Sequence, residues 1–251
     1  MALFKSGNPV LSEKAFDHTG KLLETGAMTA RGAMTKFGVM FLLLMGTAGL
    51  AWKMAADGVN VVPYMIGSAI VAMIVAFVLI FKKEWGTVLA PIYALLEGFF
   101  LGSISAYYNN AFQKIAPNIV MQAVALTFGV AIAMFLLYNF RIIRATQRFR
   151  SIVITATVGL AFFYLISIVL RMFNIDIPFI HEGSTMGIVF SLVVVALAAM
   201  NLILDFDMIE QGANAGAPKY MEWYCAFGLM VTMVWLYLEI LRLLAKMSDR
   251  K

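Results

Sequence analysis

Charge is scarce in this chain. Of its 251 residues only 13% are charged while 62% are hydrophobic, and the mean hydropathy is +0.87. A soluble domain of this length needs far more polar surface, so the composition points to an integral membrane protein. Cysteine is almost missing. The single Cys225 excludes an intramolecular disulfide framework and Cys-rich metal sites. Histidine is nearly as rare: His18 and His181 both fall outside the apolar runs. That removes an intramembrane Ser–His dyad and leaves no persuasive zinc site. There is no HExxH, no P-loop and no paired-glycine nucleotide fingerprint. No lysine stands deep in an apolar run, which argues against a retinal-type Schiff base. The chain is therefore not expected to be an enzyme or to hold a resident cofactor. Nor does the net charge of +5 argue for nucleic acid. Basic loops of a multi-pass protein explain it more simply.

What the chain does have is length of apolar sequence. Runs of about 20 apolar residues mark membrane-spanning helices, and seven are read: Thr35–Ala55, Val61–Phe81, Gly86–Tyr107, Ile119–Phe140, Ser151–Phe173, Ser184–Ile209 and Glu222–Leu244. The expected organisation is an amino-terminal arm over 1–33, a seven-helix transmembrane domain over 34–245 and a short basic tail over 246–251. The arm has no apolar core long enough for a cleavable signal, and its mixed charges suit a membrane-surface segment. Lys5, Lys14, Lys21, Arg31, Lys36, Lys82, Lys83 and the group Arg141, Arg144, Arg148 and Arg150 fall on one side of this topology. That asymmetry predicts a cytoplasmic amino terminus. Seven crossings put Arg242, Lys246, Arg250 and Lys251 on the other side, a weaker signal than the early charges. No internal repeat is visible, so an inverted-repeat transporter has no support.

In the third span Ala94, Gly98, Gly102 and Ala106 recur every four residues. This small-xxx-small pattern lets two helix backbones approach closely in lipid. Glu97 lies beside that face near mid-span, and an ionised carboxylate at a bilayer centre costs roughly 2.5–3.5 kcal/mol on insertion scales. The sixth span ends Asn201-Leu202-Ile203-Leu204-Asp205-Phe206-Asp207-Met208-Ile209-Glu210. Asp205 and Asp207 project about 200° apart on a helix, so they cannot face one pore together. Stepping back from Asp205 gives Asn201, Ala198, Val194, Ser191 and Gly187, a small and polar stripe. Stepping back from Asp207 gives Ile203, Met200, Ala196 and Val193, a greasy one. Helical geometry thus favours Asp205 as the inward carboxylate. The seventh span contributes Glu239, with two readings: a functional acid, or an i,i+3 partner of Arg242. Glu222, beside Trp223 and Tyr224, is read as interfacial. Glu97 and Asn201 complete the candidate pathway.

Three stretches together carry a family likeness: Gly98-Phe99-Phe100-Leu101-Gly102, the Leu204-Asp205 or Phe206-Asp207 step, and Leu236-Tyr237-Leu238-Glu239-Ile240-Leu241-Arg242. With seven short-looped helices, the chain resembles the Bax inhibitor-1 family, in its bacterial branch. The resemblance implies an all-α bundle of seven transmembrane helices with a central last helix, in a bacterial cytoplasmic membrane. It also implies a pH-sensitive carboxylate pair between helices six and seven, gating a Ca²⁺-permeable leak. By motif, Glu239 is the seventh-helix member, and Asp205 or Asp207 the sixth. The chain departs from the pattern in having Glu at the last position and about eight extra residues between the acids. The pair then requires Gly212–Tyr224 to lie largely outside the hydrocarbon, as a loop or short interfacial helix. Two carboxylates at short range share a proton and titrate as a unit, and Ca²⁺ prefers oxygen ligands. The expected function is a pH-modulated cation leak channel or exchanger, with Ca²⁺ or H⁺ and membrane lipids as partners. Asp205, Asp207 and Glu239 are the candidate Ca²⁺ ligands. The alternative is a non-conducting regulator that binds a membrane protease or another membrane protein.

Overall fold

The computed structural model describes residues 26–173 and 184–249. Seven helices are long and apolar enough to cross a membrane: α1 (Ala30–Ala56), α2 (Val62–Phe81), α3 (Gly86–Phe112), α4 (Ile119–Asn139), α5 (Gln147–Met172), α6 (Thr185–Asn214) and α7 (Met221–Ser248). A 3₁₀ turn at Lys83–Trp85 leads into α3. No strand occurs among the described residues, and a single isolated bridge joins Ala27 to Pro218. The expectation of an all-α, seven-span membrane protein holds.

Local chemistry sets the helix ends. The Thr29 hydroxyl accepts from the Gly32 N–H at 2.9 Å, capping α1. The α2 start has Asn60 Oδ1 accepting from the Val62 N–H at 3.1 Å, with Pro at the first helical turn. Thr146 caps α5 by accepting from the Phe149 N–H at 3.3 Å. The largest difference from the sequence reading is the link before α7. Helix α6 runs on through Gly212 to Asn214, and α7 already begins at Met221, so the stretch expected as a loop or short interfacial helix over Gly212–Tyr224 is mostly the ends of these two helices, joined by a short turn. Gly212 lies against Met28: a Cβ there would stand 2.9 Å from the Met28 sulfur. The break comes instead at Gly216, whose φ of +65° is the left-handed conformation glycine adopts without strain.

The chain divides into two compact units, one formed by residues up to Tyr107 with Asp205–Val231, the other by Tyr108–Leu204 with Thr232–Lys251. In the first, α3 lays its small face on α1. Ala94, Gly98, Gly102 and Ala106 are all buried, and a Cβ at Gly102 would stand 2.7 Å from the Ala48 Cα. A Cβ at Gly98 would strike Thr47 Oγ1 and the Leu44 carbonyl. The small-xxx-small pattern is therefore a backbone-to-backbone contact, as read. Tyr93 of α3 meets Phe227 of α7 edge-on, with centroids 4.8 Å apart. In the second unit, Phe190 of α6 packs against Phe163 and Tyr164 of α5 at 5.5 and 6.5 Å.

The helices differ in how much they hide. Most of the apolar window of α7 is buried, whereas α2 and α5 expose nearly all of theirs. An apolar helix exposed to this degree in a protein of this composition faces lipid.

Candidate functional site

The polar groups inside the helices fall into separate sets within the two units. In the first unit, Glu97 sits one turn after Tyr93 on α3, and the two side chains hydrogen-bond. Its other carboxylate oxygen, Oε2, is buried with no hydrogen-bond partner. A buried acceptor left unmatched is rare in folded proteins and invites a proton or a cation.

Asp205 and Asp207 occupy different faces of α6. The stripe behind Asp205 is buried, with Ala198 at 0%, Val194 at 2% and Ser191 at 1% exposure. The stripe behind Asp207 is mixed: Ile203 is fully buried, whereas Val193 is 61% exposed. Asp205 Oδ2 is itself shielded from solvent, and the group lies near the Cys225 thiol of α7. Asp207 Oδ2 instead accepts a 2.8 Å bond from the Gln211 side chain one turn on. The two aspartates thus meet different neighbours, and both are half-buried.

Glu239 belongs to the second unit and is 2% exposed. Its carboxylate is gripped from three sides. Arg242 Nη1 donates to both oxygens, at 2.8 and 2.9 Å. The Tyr164 hydroxyl donates to Oε1 at 3.2 Å, and the Trp235 indole N–H at 3.3 Å. Arg242 also donates to the Tyr164 oxygen at 3.1 Å and lies over its ring. The i,i+3 partnership with Arg242 is therefore real, but it is buried chemistry rather than headgroup chemistry on the acid's side. In the same unit Asn201 donates to Thr157 Oγ1 and to the Leu197 carbonyl, both at 2.9 Å. This ties α6 to α5 and satisfies the amide.

Two buried ionisable groups were not anticipated from sequence. Glu222, read as interfacial, is 1% exposed. It accepts from the Thr29 N–H at 3.0 Å and the Thr29 hydroxyl at 3.2 Å, with Lys219 at 3.6 Å. A carboxylate held over the start of a 27-residue helix is favoured by the unpaired N–H groups there. Gly32 makes the seat, since a Cβ at that position would collide with the Glu222 carboxylate. Met28 N–H donating to the Ala217 carbonyl at 2.7 Å completes the clasp. The second group is Lys246, expected in a basic tail but only 4% exposed. Its ammonium donates to Ser191 Oγ at 2.9 Å and the Gly187 carbonyl at 3.2 Å, both neutral acceptors on α6. The sequence hint was available in hindsight. Ser191 and Gly187 lie on the polar stripe of α6, and Lys246 is seven residues, about two turns, beyond Glu239.

Among the described residues, no three His, Cys, Asp or Glu side chains converge to hold a metal ion. The sequence profile described as Bax inhibitor 1 like matches residues 8–249 of the chain. The chain belongs to that family. Comparison with curated proteins returns no match. Membership of the Bax inhibitor 1 like family agrees with the seven spans and makes this a multi-pass membrane protein in contact with lipid.

Proposed function

We propose that this member of the Bax inhibitor 1 like family is a pH-modulated cation leak channel or exchanger, with Ca²⁺ as the cation. Its controlling carboxylates lie on α6 and α7. The observation that carries the proposal is Glu239: an acid 2% exposed inside a span, whose charge is balanced by the Arg242 guanidinium at 2.8 Å. Such a site has two competitors for one carboxylate. Ionised Glu239 holds Arg242 and accepts from Tyr164. Neutralising that carboxylate, as Glu239→Gln does, removes the attraction for the guanidinium and weakens the contact fixing α7 to Tyr164 of α5. Ca²⁺, a hard cation seeking oxygen, competes for the same ionised oxygens. By motif, Asp205 or Asp207 is the α6 carboxylate of this reading. The orphaned Glu97 oxygen supplies a further stop for a proton or cation. In this reading Ca²⁺ is cargo passing individual carboxylates.

The proposed setting is a bacterial cytoplasmic membrane with the amino terminus inside, following the Lys and Arg asymmetry of the loops. The test is Ca²⁺ flux in proteoliposomes across pH, with Asp205→Asn, Asp207→Asn and Glu239→Gln examined singly. The proposal requires an acid-sensitive flux in the native chain that at least one substitution uncouples from pH. Unchanged pH dependence in all three would sink it.

A further inference from the structure

Helix α7 opens with two aromatic residues that each carry a lysine from another segment of the same unit. Lys36 of α1 places its ammonium 5.3 Å from the centre of the Trp223 ring. Lys83, in the 3₁₀ turn before α3, stands 5.3 Å from the centre of the Tyr224 ring. Gly86 lies against the same turn: a Cβ there would stand in ordinary van der Waals contact with the Trp223 Cβ and the Tyr224 backbone nitrogen, each at 3.5 Å. The Glu222 clasp brings the start of α1 to the same place through Thr29. Around this hub Arg31, Lys82 and Lys219 are exposed, as is Trp85 at 55%. Glu222 is turned inward against Thr29 and faces Lys219 at 3.6 Å, which leaves Arg31, Lys36, Lys82 and Lys83 as the other cations of this end, with Glu84 as its exposed acid.

We propose that this end of the unit is a docking surface for anionic phospholipid, bound through its headgroup phosphate. The chemistry specifies the occupant. Lysines resting on aromatic faces keep their ammoniums at a fixed height, as cation–π pairs do at a membrane surface. Trp85, Trp223 and Tyr220 are residue types that sit at headgroup level, and α1 and α2 lead away as apolar, largely exposed helices. A soluble anion would use the cations alone, whereas a phospholipid uses the cations, the aromatic ring edges and the apolar flank together. The inference is independent of ion flux, since it concerns which lipid the protein retains.

Native mass spectrometry of the full chain, released from nanodiscs of equal phosphatidylglycerol and phosphatidylcholine, tests it. The native protein should retain phosphatidylglycerol preferentially, with the preference falling as salt rises. Removing basic residues near a surface should lower it by about fivefold per charge. Arg31→Gln with Lys82→Gln should therefore reduce the preference by more than tenfold. These exposed positions leave the aromatic contacts intact, so folding is preserved. Lys36→Gln with Lys83→Gln should do the same. Lys53→Gln, in the last turn of α1 and so at that helix's other end, should leave the preference intact. Equal retention of both lipids by the native chain would overturn the proposal. So would a preference that survives both double substitutions or is lost equally in Lys53→Gln. Inorganic phosphate should displace no more lipid than chloride at matched ionic strength. Selective displacement by phosphate would instead identify a site for a free anion.

Discussion

Replacing Arg242 by Met isolates the ion pair on which the functional reading depends. The substitution keeps the apolar stem and removes the guanidinium, leaving Glu239 at 2% exposure with the Tyr164 hydroxyl and the Trp235 indole as donors. Breaking a fully buried pair from one side costs about 3–5 kcal/mol, because the remaining charge is stranded. Here the Arg242 side chain is 36% exposed while that of Glu239 is 3% exposed. Solvent screens part of the pair, and two neutral donors remain. The expected cost is therefore lower, about 2–3 kcal/mol. Glu239→Gln in the same background removes the stranded charge, and the double variant should recover at least half of the loss. That corresponds to a coupling of about 1.5 kcal/mol between the two positions. Reversible unfolding in mixed micelles, followed by tryptophan fluorescence, reads it directly, since Trp235 donates to the same carboxylate. A loss under about 0.5 kcal/mol for Arg242→Met, or strict additivity in the double variant, would show that the pair carries no buried charge balance.

Two further outcomes follow from packing and charge. Gly102→Leu forces a side chain into the Ala48 backbone and should cost about 3 kcal/mol or more in the same unfolding assay, while Gly129→Leu, where a Cβ meets nothing within 4 Å, should be nearly silent. Lys246→Met replaces a buried ammonium whose bonded partners are both neutral, so stability should be unchanged or raised by about 1 kcal/mol. A loss above about 2 kcal/mol would mean that Lys246 is balanced by a charge its hydrogen bonds do not reveal.

The sequence was most informative where one helix decides the outcome. Seven apolar runs gave seven spans, and the four-residue recurrence at Ala94, Gly98, Gly102 and Ala106 marked the face that meets α1. The opposed stripes behind Asp205 and Asp207 likewise follow from 3.6 residues per turn alone. Legibility failed where distant segments combine. Glu222 was read as interfacial from its neighbours Trp223 and Tyr224, but its burial against Thr29, 193 positions away, was not readable, since no local pattern encodes that contact. Lys246 looked like a tail residue because charges near an apolar run's end usually reach water. Two neutral acceptors on α6 hold it instead. The stretch before α7 was read as a loop or short interfacial helix because Gly212 suggests a break, whereas Gly212 is helical and lies against Met28. For Glu239, the sequence left a functional acid and an Arg242 partner as rival readings. The side chain turns out to be buried and paired at once.

The most direct test of the central claim is Ca²⁺ flux through the purified chain in liposomes, measured across pH for the native protein and for Glu239→Gln. The account predicts a flux that changes with pH in the native protein and a pH response that is lost or displaced when Glu239 is replaced. A native chain with no acid-sensitive permeability, or a Glu239→Gln profile superimposable on the native one, would contradict it.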